Sequence, residues 1–131
     1  MSIRFDRAFA RVLLFMSIAT FTAGCGRPAP AVSNVEAAIE LLKTSFESWK
    51  SGGTVASLRE ATPPVYVAEE MWDNGFRLTS FSIDDDGELY GTNVRLLVTL
   101  TGTDKGGLAV SRQLKYLVTT TPALTIARAD R

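Results

Sequence analysis

The spacing of apolar residues between positions 35 and 49 predicts one amphipathic helix. Apolar side chains recur there every three or four positions, and charged residues fall largely between them. Ser33 precedes the segment and Glu36 follows three residues later, which is the spacing of a capping box, so we expect Ser33 to be the N-cap. Gly52 and Gly53 end the helix. The apolar stripe expected to face the core consists of Val35, Ile39, Leu42, Phe46 and Trp49.

Shorter elements are expected after this helix. Thr54 can cap a second helix of about six residues, which ends at Pro63 and Pro64 because proline removes a backbone donor. Residues 65–67 are apolar and lie beside these prolines, so they predict a short edge strand. Residues 69–72 predict a single helical turn before the Asn74-Gly75 turn dipeptide.

From Phe76 onward the apolar residues recur at every second position, which is typical of strands. The alternation slips by one residue near Thr79-Ser80, and this slip predicts a β-bulge. The clearest strand covers 94–100, followed by a hairpin turn at 103–107 and a return strand in which Arg112 interrupts an apolar face. A last strand precedes Arg128. The predicted core residues are Ile39, Leu42, Phe46, Trp49, Phe81, Val94, Leu96, Val98, Leu114, Tyr116, Val118 and Ile126.

The order of these elements predicts an α+β domain, in which a long N-terminal helix packs on a bent antiparallel sheet of about five strands. This order and the bulged strand resemble the cone-shaped fold of the nuclear transport factor 2-like superfamily and its cystatin-like relatives. The chain is also similar to small exported bacterial proteins with a Pro-Pro-x-Tyr-Val segment, here 63–67, and a Trp-x-x-Gly segment, here 72–75. The second likeness implies no particular activity.

The first 24 residues have the pattern of an export signal. Arg4, Arg7 and Arg11 form a positive front end, and an apolar run from Val12 to about Ala23 follows it. About a dozen residues span only ~18 Å as a helix, which is less than the ~30 Å hydrocarbon core of a membrane. The run therefore predicts a cleaved signal and not a stable transmembrane helix.

The sole cysteine of the chain, Cys25, stands where this apolar run ends. The stretch 22–25, Thr-Ala-Gly-Cys, resembles the lipobox of bacterial lipoprotein signals, although the usual leucine is Thr22 here. The resemblance implies cleavage before Cys25 and attachment of lipid to it, which would hold the protein at the bacterial membrane facing the periplasm. Gly26 replaces the aspartate of inner-membrane retention, so the resemblance implies the outer membrane. An alternative is an ordinary secretory signal cleaved after Ala31, which would give a soluble secreted protein.

The expected organisation is a signal peptide at 1–24, a lipid-anchored tether at 25–32 and a single α+β domain at 33–131. The tether is short and rich in proline and alanine. The chain carries 14 basic and 14 acidic residues, and three of the arginines belong to the signal. No basic patch is left in the mature chain, so a nucleic-acid partner is not expected.

The lack of histidine removes the usual base of nucleophilic catalysis and the usual ligand of zinc sites, and we expect neither a cofactor nor a metal. The acidic stretch 84–88 predicts a solvated turn, with a weak cation site as the alternative. We therefore expect a non-catalytic envelope lipoprotein whose small domain binds a ligand or an envelope protein, or has a structural role. The superfamily resemblance keeps an enzyme using pocket carboxylates or tyrosines as the alternative. Tyr66, Trp72 and Tyr90 lie in or beside turns, so we expect them to be partly exposed, and they are the candidate partner contacts. The alternative is that these three residues cap the open end of the cone.

Overall fold

The computed structural model describes residues 31–129. The predicted signal, Cys25 and most of the tether lie outside the described residues. None of the described helices is long and apolar enough to cross a membrane. In chain order the elements are α1 (Val35–Lys50), α2 (Val55–Arg59), β1 (Val65–Ala68), α3 (Glu70–Asp73), β2 (Arg77–Ile83), β3 (Glu88–Tyr90), β4 (Asn93–Thr103), β5 (Ala109–Thr119) and β6 (Leu124–Arg128).

Helix α1 begins one residue later than the capping box predicted. The N-cap is Asn34, whose side-chain oxygen accepts a hydrogen bond from the Ala37 N–H at 2.9 Å. Ser33 is buried, and its hydroxyl oxygen accepts from the Thr120 N–H at 2.9 Å. The prediction of Ser33 as the cap is wrong because this hydroxyl ties the chain to the end of β5. The helix has 16 residues, so the fold has a helix of about four turns here rather than a long N-terminal helix.

The six strands form one mixed sheet in the order β1-β6-β5-β4-β2, and β3 pairs with β4 beyond the end of β2. The sheet is curled into a half-barrel. β1 is an edge strand, as predicted, but it pairs with β6 in parallel, so the sheet is not purely antiparallel. The sequence pattern predicted about five antiparallel strands and did not predict this parallel pairing. The apolar pattern of a short edge strand is the same whether the strand pairs in parallel or antiparallel. The sequence pattern also did not predict β3, whose three residues are all exposed and show no alternation.

The predicted bulge in β2 is present. The register moves from Leu78 opposite Gly102 to Ser80 opposite Thr101, which leaves Thr79 without a cross-strand partner. The Thr79 hydroxyl donates to the Thr101 carbonyl at 3.0 Å. Gly102 is required here, since a Cβ at this position would lie 2.0 Å from the Arg77 carbonyl oxygen.

The core lies between α1 and the face of the sheet that bears Leu96, Tyr116 and Ile126, which we call the inner face. Phe46 of α1 makes edge-to-face contacts with Phe81 and Tyr116 at centroid distances of 5.7 and 5.3 Å. Nine of the twelve predicted core residues are buried, and the other three, which pack against them, are partly buried. These three are Ile39, Phe81 and Leu114. The structure adds Ala38, Val65, Val67, Trp72, Phe76, Leu78 and Leu100 to the buried core.

Candidate functional site

The three candidate partner contacts lie in different places. Tyr66 on β1 and Tyr90 on β3 are 45% and 55% exposed, as expected, and the Arg95 guanidinium lies 4.9 Å from the centre of the Tyr90 ring. Trp72 is buried, so the expectation that it is partly exposed is wrong. β1 is the edge strand at one side of the sheet, whereas β3 pairs with β4, so the fold does not bring the two tyrosines together.

Trp72 is buried because its indole forms part of an aromatic stack. It lies parallel to Trp49 with a centroid distance of 4.9 Å and an interplanar angle of 3°. The Trp72 Nε1–H donates to the Gly53 carbonyl at 3.1 Å, and the Trp49 Nε1–H donates to the Phe76 carbonyl at 2.9 Å. A buried indole needs such an acceptor. The two hydrogen bonds tie two segments to the same stack. One is the loop after α1, and the other is residues 74–76, which we call the corner before β2.

An open groove lies between these two segments. Its volume is about 750 Å³. Its lining comes from residues 49–56 at the end of α1 and the start of α2, from Trp72 and Asp73 of α3, and from residues 75–79, which lead into β2. β2 is the last strand in the sheet order, so its second edge has no strand partner among the described residues. The groove therefore combines an aromatic stack with the backbone of an edge strand, which is the kind of surface that binds an extended chain.

The structure also reveals a buried carboxylate that the sequence analysis did not single out. Glu69 is 1% exposed. Its Oε1 accepts from the Met71 N–H at 2.9 Å and from Arg128 Nη2 at 2.7 Å, and its Oε2 accepts from the Tyr116 hydroxyl. A signal was present in the sequence, because Glu69 continues the alternation of Val65 and Val67 and so falls on the inner face.

The electrostatics of this cluster favour a neutral tyrosine and a charged arginine. Burial raises the pKa of Tyr116 well above its ordinary value, and the Glu69 charge and hydrogen bond raise it further. Burial alone would lower the pKa of Arg128, but the neighbouring Glu69 outweighs it and raises that pKa. A tyrosine that holds its proton so firmly is a poor proton donor, and both carboxylate oxygens of Glu69 already accept hydrogen bonds. The cluster thus joins the end of β1 to β5 and β6.

The acidic turn is tied to the sheet by its own carboxylates. Asp84 accepts hydrogen bonds from the Thr99 hydroxyl, from the Gln113 amide at 3.1 Å and from the Ser82 hydroxyl at 2.7 Å. These bonds lower the pKa of Asp84. Asp85 accepts from the Leu97 N–H at 3.1 Å. Within residues 31–129, no group of three or more acidic or cysteine side chains is placed to hold a metal ion.

No protein-family model, curated protein sequence or solved structure matches the chain. Of the predicted site residues, Cys25 lies outside the described part of the chain. Trp72 lines the groove, whereas Tyr66 and Tyr90 do not. The functional interpretation therefore rests on the geometry of the groove and of the buried cluster.

Proposed function

We propose that this chain is a non-catalytic binding protein of the bacterial cell envelope, and that the groove between α1 and β2 is its binding site. The observation that carries this proposal is the free edge of β2 beside a groove of about 750 Å³. That volume lies within the ~300–1,000 Å³ typical of ligand pockets. The occupant is an extended segment of a partner protein, because an unpaired strand edge offers backbone donors and acceptors to an incoming strand.

A matched pair of substitutions tests the groove. Ala56 is exposed and lines the groove, so Ala56→Trp should obstruct it. Ala123 is exposed in the turn between β5 and β6, away from the groove, so Ala123→Trp adds the same bulk elsewhere. A photo-crosslinker placed at Thr79 should capture a partner segment in the unsubstituted protein and in Ala123→Trp, but not in Ala56→Trp. Equal capture by both variants would rule out the groove as the site.

The enzyme alternative has less support in the geometry. A carboxylate and a tyrosine do meet inside the domain, as the resemblance to nuclear transport factor 2-like enzymes would require, but both are buried at Glu69 and Tyr116. Neither residue lines the groove. A substitution at Asp73, the carboxylate that lines the groove, should leave envelope metabolites unaffected. If Asp73→Asn abolished the turnover of one of them, the non-enzymatic proposal would be overturned.

Membrane attachment through lipid on Cys25 is part of the same proposal. Its support is the sole cysteine at the end of a short apolar run behind three arginines. Cys25→Ser should abolish incorporation of labelled fatty acid and should release the protein or leave the precursor uncut. The outer membrane is the proposed destination because Gly26 follows the cysteine. Mass spectrometry showing an unmodified mature chain that starts at Val32 would instead establish the soluble secreted alternative.

The finer fold assignment, a cone of the nuclear transport factor 2-like or cystatin-like type, also belongs to this proposal. It is supported by the curled sheet, by α1 on the inner face and by the bulge in β2. The parallel pairing of β1 with β6 differs from the purely antiparallel sheet that the sequence predicted.

Tyr66 and Tyr90 remain proposed partner contacts outside the groove because both are exposed. Their single alanine variants should lower partner recovery without lowering the melting temperature. Unchanged recovery together with lower stability would assign the two tyrosines to a structural role.

A further inference from the structure

A second, smaller pocket lies between the corner before β2 and the β4–β5 hairpin. Its volume is about 250 Å³, and Phe76 is the residue that it shares with the groove. Met71, Phe76 and Val110 contribute apolar side chains to its lining. This pocket lies outside the site proposed above, and its lining differs because it contains charged side chains of the hairpin.

The distinctive residue of this pocket is Arg112, which interrupts the apolar alternation of β5. The register places Arg112 opposite buried Leu100, and Val110 and Leu114 lie two residues away on the same face. An inner-face position of this kind is ordinarily apolar. Arg112 is exposed at the pocket, and it makes no hydrogen bond or ion pair with any side chain in the described range 31–129.

The charges around Arg112 favour an anion. Lys105 lines the same pocket and, like Arg112, forms no ion pair with another described residue. The third charged group is Asp104, whose Oδ1 accepts from the Gly106 N–H at 2.9 Å and the Leu108 N–H at 2.8 Å. One oxygen of this carboxylate therefore serves the hairpin turn. The pocket presents two cations beside an apolar lining, with a net positive charge.

We propose that this pocket binds a small organic carboxylate with an apolar body. The carboxylate pairs with the guanidinium of Arg112, whose planar fork matches two carboxylate oxygens, and Lys105 adds a second positive charge. The apolar body lies against Met71, Phe76 and Val110, where a flexible methionine adapts to its shape. The volume is below the ~300–1,000 Å³ of pockets for drug-sized ligands, so the ligand is smaller than these.

Calorimetric titration of the purified full chain with hexanoate and with neutral hexanamide tests this proposal. Hexanoate should bind, and hexanamide should bind at least about tenfold more weakly, because a hydrogen bond to a charged group contributes ~1.5–3 kcal/mol. Arg112→Gln should weaken hexanoate binding by a similar factor, and Arg112→Lys should retain part of it. Arg59→Gln removes the same charge from an exposed position outside the pocket and should leave binding unchanged.

Three titration results would overturn the proposal. They are the absence of saturable hexanoate binding, equal binding of hexanoate and hexanamide, and equal effects of Arg112→Gln and Arg59→Gln. The comparison of the two ligands uses the unsubstituted protein, so it remains informative even if a variant folds poorly. Methyl NMR adds a readout of position, since hexanoate should shift the signals of Met71 and Val110 but not those of Val55, which lines the groove. Shifts at Val55 alone would place the ligand in the groove and contradict the pocket.

Discussion

At the scale of single residues, Glu69 shows how a buried charge is accommodated. Taking a carboxylate out of water costs several kcal/mol, and this cost is offset only where hydrogen bonds and a counter-charge replace the water. Glu69 receives donors from a backbone amide, from Tyr116 and from Arg128. The described side chains leave no buried polar atom without a partner. The cluster therefore holds the end of β1 and the start of α3 against β5 and β6.

Glu69→Gln should destabilise the domain strongly, since it keeps the shape of the side chain but removes the charge that faces Arg128. We expect the free energy of unfolding to fall by about 3 kcal/mol, the lower end of the range for breaking a buried pair. The lower end applies because the Arg128 side chain is 20% exposed. Urea denaturation measures the change. Glu40→Gln, on the exposed face of α1, is the control and should change stability by less than about 0.5 kcal/mol.

Tyr116 should make the domain sensitive to alkaline pH. The unfolded chain releases the tyrosine proton near pKa 10.0, whereas burial keeps the pKa in the folded state above that value. The unfolded state therefore binds fewer protons than the folded state above pH 10. Stability is complete below that pH and falls as the pH rises further. Urea midpoints between about pH 8 and 11 should decline less steeply in Tyr116→Phe than in the unsubstituted protein. Identical slopes would contradict the assigned environment.

At the scale of elements, α1 owes its position to aromatic packing on the inner face. Leu42 and Phe46 are fully buried, and Trp49 at the end of the helix is hydrogen-bonded to the Phe76 carbonyl. The four turns of α1 therefore contact both the centre of the sheet and the corner before β2. The groove depends on this arrangement, because the end of α1 forms one of its walls.

Leu42→Ala and Phe46→Ala should each leave a cavity that the packed core closes only partly. We expect losses of ~2–5 kcal/mol for the leucine and ~3–5 kcal/mol for the phenylalanine. Such losses are a large share of the ~5–15 kcal/mol that stabilises a typical domain. Thermal and urea unfolding measure them, and Lys43→Ala on the exposed side of the same helix is the control. Unchanged melting temperatures for both core variants would show that α1 does not pack as described.

At the scale of the whole molecule, the sheet has a stable centre and weaker edges. β4 and β5 pair over ten positions from Val94 opposite Val118 to Thr103 opposite Ala109. β1 has four residues and one strand neighbour, and β3 has three exposed residues. Regions with few buried contacts open locally at a lower free energy than the core.

Native-state hydrogen exchange should show this gradient directly. Amide protons in the paired centre of β4 and β5 should exchange only through global unfolding, and those of β3 should exchange at least about tenfold faster through local opening. Glu69→Gln should accelerate exchange in β1 more than in β3, because Glu69 ties the end of β1 to Arg128. Uniform protection across all six strands would contradict the description of β1 and β3 as weak edges.

Much of the architecture follows from local sequence pattern. Helical spacing and the double glycine determined α1, and Thr54 determined the start of α2, where its side chain accepts from the Ser57 N–H. The phase slip near Thr79 determined the bulge, and the hairpin at 103–107 followed from its turn residues. The helices and the hairpin depend on interactions between residues close in sequence, so the order of amino acids is sufficient to predict them. The bulge pairs distant strands, but it leaves a one-residue slip in the local alternation that the sequence shows.

Other features were decided only by the tertiary structure. The direction of β1 depends on where the chain enters the sheet, which is beside β6, about sixty residues later. The burial of Trp72 depends on Trp49, and the role of Glu69 depends on Tyr116 and Arg128. The alternation of apolar and polar residues places both Glu69 and Arg112 on the inner face of the sheet. It does not show that Glu69 pairs with Arg128 or that Arg112 lines an open pocket. That difference arises from contacts between residues distant in sequence, which form only when the sheet curls.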